Sequence, residues 1–171
     1  MSSLIREAIA KDAPILTAAE QETAESPGLL VSRPHELTVE SFETKIAELS
    51  KVGRYIVAEK DDAIVGHALL GPLPLEAIAH VFRLTIVVHP GFRGQGIGEA
   101  LMRDLMDWVQ QTPRAGKIEL LVRSTNVRAI RLYEKLGFIE EGRFRKRISL
   151  PNGSFIDDIA MAWVPNRRQE L

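Results

Sequence analysis

Residues 78–100, IAHVFRLTIVVHPGFRGQGIGEA, join an apolar run to four glycines within eight positions and then to the start of a helical pattern. The run 78–88 is too apolar to alternate cleanly, which predicts a central strand covered on both faces. Glycines directly after such a strand let a ligand approach the main chain, and the helix start beyond them offers unpaired N–H groups. A strand, turn and helix of this kind predict an open α/β sheet with an anion site at the strand's carboxyl end.

Spacing narrows the anion. A dinucleotide fingerprint needs G-x-G-x-x-G, whereas glycines 94, 96 and 98 give G-x-G-x-G. Gly91 and Gly96 have the interval of a P-loop, but Ile97 and Gly98 stand where its lysine and hydroxyl residue are required. The turn therefore lacks the groups that hold a γ-phosphate and its magnesium, and keeps main-chain amides and one arginine, Arg93.

The other elements follow from periodicity. SLIREA (3–8) predicts a first strand, Asp12 caps a helix over 13–25, and Thr38 caps another in which Val39, Phe42, Ile46 and Leu49 share a face. RYIVAEK (54–60) and AIVGHALLG (63–71) form a hairpin across Asp61-Asp62. After 78–88 come a helix from about Gly96 to Gln110 with Ile97, Leu101, Leu105 and Trp108 inward, a strand at 117–123, and a helix from Asn126 to Leu136 stopped by Gly137. The strands 138–150 and 154–164 close the chain around Pro151-Asn152-Gly153. The order is β-α-α-β-β-β-α-β-α-β-β, a mixed α/β fold with a central sheet flanked by helices.

The 171 residues, 45% of them hydrophobic, suit one domain spanning 1–171. A formal charge of -1 and a pI near 6.4 draw neither nucleic acid nor an anionic membrane, so the expected partner is a small molecule. The basic residues Arg143, Arg145 and Arg147 share one strand face with only Phe144 among them, which fits a solvated edge strand better than an RNA platform. The absence of cysteine excludes thiolate nucleophiles and thiolate metal sites, and no metal site is expected. The start MSSLIREAIAKDAP has no signal-peptide pattern and no segment reaches the length of a membrane span, so a cytoplasmic location is expected. Pairing as a homodimer is compatible with all of this.

RGQGIG (93–98) resembles the R/Q-x-x-G-x-G/A signature of the GCN5-related N-acetyltransferases, the GNAT superfamily, and NVRAIRLYEKLGF (126–138) is similar to its second motif, N-x-x-A-x-x-x-Y-x-x-x-G-F. The resemblance is close over 78–140 and looser over 54–71 and 141–163. It implies that acetyl-coenzyme A is the ligand of the turn, its pyrophosphate on the amides around Arg93, Gly94, Gln95, Gly96, Gly98 and Glu99. It further implies that the main chain of Ile86 and Val88 meets the pantetheine and that Asn126, also a helix cap, and Tyr133 face the cofactor. Lys135 and Arg131 read as solvated charges.

Acyl transfer to an amine needs an acid for the departing thiolate and a way to deprotonate the amine. By resemblance Tyr133 is the acid, although the same ring also suits a core. Many relatives carry an acidic residue where this chain has Arg83, which cannot be a base. His67, His80 and Glu36 are the substitutes considered, and His89, in its HPG turn, reads as a surface residue. Arg83 either binds an acceptor carboxylate or pairs with a glutamate. The expected enzyme transfers acetyl directly to a primary amine of a small molecule or amino acid. Acetylation of a protein N-terminus or lysine, and a non-catalytic acyl-coenzyme A sensor, are the alternatives.

Overall fold

The computed structural model describes residues 3–167; the first two and last four residues of the expected domain lie outside the described residues. Its elements run β1 (Leu4–Glu7), α1 (Ala13–Ala24), α2 (Val39–Val52), β2 (Arg54–Lys60), β3 (Ala63–Pro72), β4 (Val81–Val88), α3 (Ile97–Gln111), β5 (Lys117–Arg123), α4 (Val127–Lys135), β6 (Ile139–Ser149) and β7 (Phe155–Trp163). This is the order expected from periodicity.

Two local expectations fail. Residues 78–80 do not extend the central strand: Glu76–Ile78 form a short 3-10 turn, and the His80 carbonyl instead accepts from the N–H groups of Gly116 and Lys117. Asp12 precedes α1 without capping it. Its carboxylate accepts from the Ile9 N–H at 2.9 Å and from Arg6 at 2.8 and 3.0 Å, because a guanidinium fork outcompetes a helix amide for it. Thr38 does cap α2, its Oγ1 accepting from Ser41 N–H at 3.3 Å.

The seven strands lie in the order β1-β2-β3-β4-β5-β7-β6, with every neighbouring pair antiparallel except β4 and β5. That parallel pair requires a crossover, which α3 supplies. The β2–β3 turn uses Asp61 and Asp62 at φ 51° and 62°, the left-handed pair that a tight hairpin requires and aspartate tolerates.

Each face of the sheet has its own core. On one, Ile97, Leu101, Leu105 and Val109 of α3 pack on Phe82 and Leu84 of β4 and Ile118, Leu120 and Val122 of β5. On the other, Leu16 of α1 and Phe42, Ile46 and Leu49 of α2 cover Tyr55 and Val57 of β2. Fully burying each such side chain contributes about 1.5–3 kcal/mol, so α3 on one side and α1 with α2 on the other are held mainly by these faces.

The feature that makes a site is where pairing stops. β4 and β5 are in register only at Val81↔Lys117, Phe82↔Ile118 and Arg83↔Glu119, yet the strands continue to Val88 and Arg123. Beyond Arg83 they part.

Candidate active site

The parted strands open a cleft of about 560 Å³. Leu73 N–H donates to Val81 and His89 N–H to Val65 at the two ends of the β3–β4 ladder, whose register is unbroken between them. Odd-numbered residues of β4 therefore direct their main chain to β3, and the even-numbered ones direct theirs away. Ile86 and Val88 accordingly face the gap with N–H and C=O groups that β5 no longer pairs. Both residues line the cleft.

At its outer end the glycine turn is shaped for an anion. Gly91, Gly94 and Gly96 sit at φ 85°, 77° and 79°, the left-handed region, and a Cβ at Gly91 or Gly96 would meet nothing within 4 Å. That empty volume is where a ligand can touch backbone. The first bond of α3 runs from Ala100 N–H to Gly96 O, so the N–H groups of Ile97, Gly98 and Glu99 have no helical acceptor. They and the helix dipole favour negative charge. The arrangement fits a pyrophosphate.

Arg93, Gly94, Gly96, Gly98, Glu99, Asn126 and Tyr133 all line this cleft together with Ile86 and Val88. Gln95 does not: it is exposed and accepts from Lys60 at 2.8 Å. Glu99 contributes position rather than a free carboxylate, since hydrogen bonds from Lys135 and Arg103 hold its carboxyl below the usual range. Asn126 caps α4, its Oδ1 accepting from Ala129 N–H at 3.3 Å.

Tyr133 belongs both to the core and to the cleft wall. Its ring lies 5.9 Å from Phe138 in the core, and the residue is 7% exposed, at the cleft wall. Burial, against a smaller opposing effect of Arg123, pushes its phenol up to about 12. It holds its proton at any ordinary pH.

The three residues considered as a base do not line the cleft. His80 is exposed at the start of β4, far from its open end. Glu36 is exposed and accepts from the Arg33 N–H at 2.7 Å. His67 is fully buried on the α1 side of the sheet. Arg83 lies 3.6 Å from Glu119, the ion-pair alternative. His89 is not a surface residue: it is 4% exposed, because Ile64 and His67 of the neighbouring strand close over it. Arg143 and Arg147 meet Asp157 at 3.3 Å and Asp158 at 3.8 Å, and Arg147 stacks on Phe144 at 4.4 Å. The basic strand is answered by its own chain.

Sequence reading missed Arg128, Thr23, Leu29 and Leu30, which also line the cleft. Arg128 Nη1 comes within 3.7 Å of a Cβ placed at Gly94, and among the described residues neither Arg128 nor Arg93 makes an ion pair. Both guanidinium groups line the cleft beside the glycine turn. Its place two residues after the capping Asn126 was the available signal. Among the described residues no cluster could hold a metal ion, and no helix is long and apolar enough to cross a membrane.

Known proteins share this architecture. The profile of the Acetyltransferase (GNAT) family matches residues 17–138. The chain is 33% identical to the L-amino acid N-acetyltransferase AaaT of Escherichia coli K12, over 65% of this chain and 68% of that protein. It is 35% identical to the N-alpha-acetyltransferase RimI of Mycobacterium tuberculosis, over 54% of this chain and 56% of that one, so this second match spans just over half of its relative. The structure superposes on an acetyltransferase of GNAT family from Streptococcus pneumoniae with a TM-score of 0.87 at 26% identity, over 95% of this chain and 99% of that one. Because the profile takes in the parted strand, the glycine turn and the Tyr133 helix together, the chain belongs to the acetyltransferase (GNAT) family, and its chemistry is N-acetylation with acetyl-coenzyme A as donor.

Proposed function

We propose that the chain acetylates the primary amine of a small molecule or amino acid, by direct transfer within the cleft. The observation that carries this is the wall contributed by the segment after α1. Leu29 and Leu30 face the cleft from it. Gly28, at φ 84°, seats so closely on Thr125 that a Cβ would come within 2.9 Å of its hydroxyl, and Arg33 donates to the Ser149 carbonyl at 2.7 Å. A wall tied down at both ends bounds a small acceptor and obstructs a peptide. The amino-acid activity in the name of the Escherichia coli relative agrees with this reading. A panel of amino acids, polyamines and peptides, read by release of free thiol, tests it. Turnover of small amines is expected, and turnover confined to peptides would overturn it.

Acetyl-coenzyme A supplies the activated acetyl group; the chain supplies the rest. Amides of the glycine turn, with Arg93 and Arg128, hold the phosphates, and the main chain of Ile86 and Val88 aligns the ligand along β4. The Tyr133 hydroxyl holds a proton for the thiolate. Charge-assisted hydrogen bonds contribute about 1.5–3 kcal/mol each, so Arg128→Gln is expected to raise the Kd of acetyl-coenzyme A by about tenfold, less at high salt. Calorimetry at two salt concentrations checks this.

Among the described residues the cleft wall contains no histidine and no carboxylate except the paired Glu99. The amine then loses its proton to water before attack. The expected result is that log kcat/KM rises with pH with unit slope up to the pKa of whichever amine is used. Tyr133, at about 12, adds no falling limb below pH 10. Two amines of different pKa should shift the breakpoint accordingly; a breakpoint common to both would mean that the protein provides a base.

A further inference from the structure

On the α1 side of the sheet, Glu20 of α1, His67 of β3 and His89 after β4 form a hydrogen-bonded line that the chemistry above does not use. All are buried, at 8%, 0% and 4% exposure. His89 Nδ1 lies 3.1 Å from the Ile64 carbonyl, His89 Nε2 lies 2.9 Å from His67 Nδ1, and His67 Nε2 lies 2.8 Å from Glu20 Oε1.

Filling all three contacts with hydrogen bonds sets a proton count for this line. A carbonyl only accepts, so His89 Nδ1 carries a proton, and burial with the neighbouring His67 pushes the pKa of His89 down to about 4, leaving its Nε2 bare. His67 Nδ1 must then donate to it. The contact between His67 Nε2 and Glu20 requires a third proton, on one atom or the other. Two neutral imidazoles bring only two. With three, the trio is either imidazolium with carboxylate or imidazole with carboxylic acid, and its net charge is zero in both. The occupancy that fills every contact is also the one that burial favours. Removing one proton would leave a buried negative charge and two lone pairs facing each other.

The surroundings add no competing charge. Tyr55 of β2 has its ring 5.9 Å from that of His67 and a buried hydroxyl without a hydrogen-bond partner among the described residues. Burial, then Glu20 and Asp12, hold its phenol well above the usual range, so it stays neutral. Phe42 of α2 meets His67 edge-on at 6.3 Å, and Asp12 is committed to Arg6.

Each member of the line reaches the cleft through its own backbone. Glu20 is one turn before Thr23 on α1, and His67 pairs with Val87 of β4; Thr23 and Val87 both line the cleft. His89 opens the glycine turn, its N–H donating to Val65 O at 2.9 Å and its carbonyl accepting from Phe92 N–H at 3.1 Å. We propose that the line is a proton-holding brace for the glycine turn, which makes Glu20 and His67 positioning residues that act through His89. The proposal rests on the reading that acetyl-coenzyme A occupies the cleft.

Nitrogen NMR of the parent's imidazoles at pH 8 should show both histidines protonated at Nδ1 and a proton retained between His67 and Glu20. A bare His67 Nδ1, or a neutral His67 beside an ionised Glu20, overturns the brace. Glu20→Gln can donate its amide N–H to a neutral His67, so its Kd for acetyl-coenzyme A should stay within about twofold of the parent, whereas Glu20→Met fills the volume without a donor and should weaken binding about tenfold. The loss should appear in KM for acetyl-coenzyme A, with kcat at saturation retained. If the parent binds and Glu20→Met binds equally well, the brace alone falls; a parent that binds no acetyl-coenzyme A removes the reading of the cleft and the brace with it. Should Glu20→Met fail to fold, the parent's imidazole spectrum decides.

Discussion

Gly96→Asp is expected to lose acetyl-coenzyme A binding by about 10³-fold while the unliganded fold persists. Gly96 precedes α3 at φ 79°, and a Cβ there meets nothing within 4 Å, so the side chain enters open space. Aspartate is among the residues that tolerate the left-handed region and that cap helices well, which keeps the cost to stability small. The carboxylate would point into the open volume beside the first amides of α3, where the pyrophosphate is proposed to lie. Two like charges about 4 Å apart near a protein surface repel by about 4 kcal/mol, which is about 10³ in affinity. Gly96→Ala adds a Cβ to the same volume without the charge and, tolerating left-handed backbone less well than aspartate, should lose no more than about tenfold, from the roughly 1–2 kcal/mol that such backbone costs. Calorimetry on both variants, with thermal unfolding as the control, separates strain from charge. Equal binding by the two would show that no anion is held at this turn.

Tyr133→Phe is expected to slow the reaction by about 10²–10⁴, the usual size of a general-acid contribution. The substitution keeps the ring against Phe138 and removes only the hydroxyl, which makes no hydrogen bond among the described residues. Stability and cofactor affinity should therefore change little. The phenol stays protonated to about 12, so the deficit should be uniform from pH 6 to 10. Pre-steady-state measurement of thiol release checks that the affected step is the chemical one. A variant that turns over at the parent rate would mean that the thiolate takes its proton from water or from the attacking amine.

What could be read from the sequence was what is local. The strand, the glycine turn and the helix after it are contiguous, and each states its own conformation through apolar pattern, missing Cβ atoms and helical spacing. Hence the turn of Arg93, Gly94 and Gly96 was legible as an anion site from the residues themselves, whereas Ile86, Val88 and Tyr133 were singled out by the family resemblance; all six line one cleft. What was missed depends on distant segments. His89 sits in a proline-glycine turn that predicts exposure, and only the hairpin bringing Ile64 and His67 alongside buries it. Glu20 lies on an unremarkable amphipathic helix whose register against β3 nothing local specifies. Leu29 and Leu30 sit in a stretch rich in proline and glycine, and they reach the cleft because Gly28 seats on Thr125, almost a hundred positions later. Arg128 and Arg131 are equally basic and one helical turn apart, and only the direction of α4 against the glycine turn distinguishes them.

The parting of β4 from β5 has a mechanical side. With three register pairs between them, against seven between β3 and β4, the sheet is two stiff plates of four and three strands meeting at a short seam. A ligand lying along Ile86 and Val88 takes up hydrogen-bonding groups that a longer seam would have consumed, and so it splices the plates. Amide exchange should report this directly: protection at residues 84–88 and 120–123 should rise on ligand binding far more than at the outer strands.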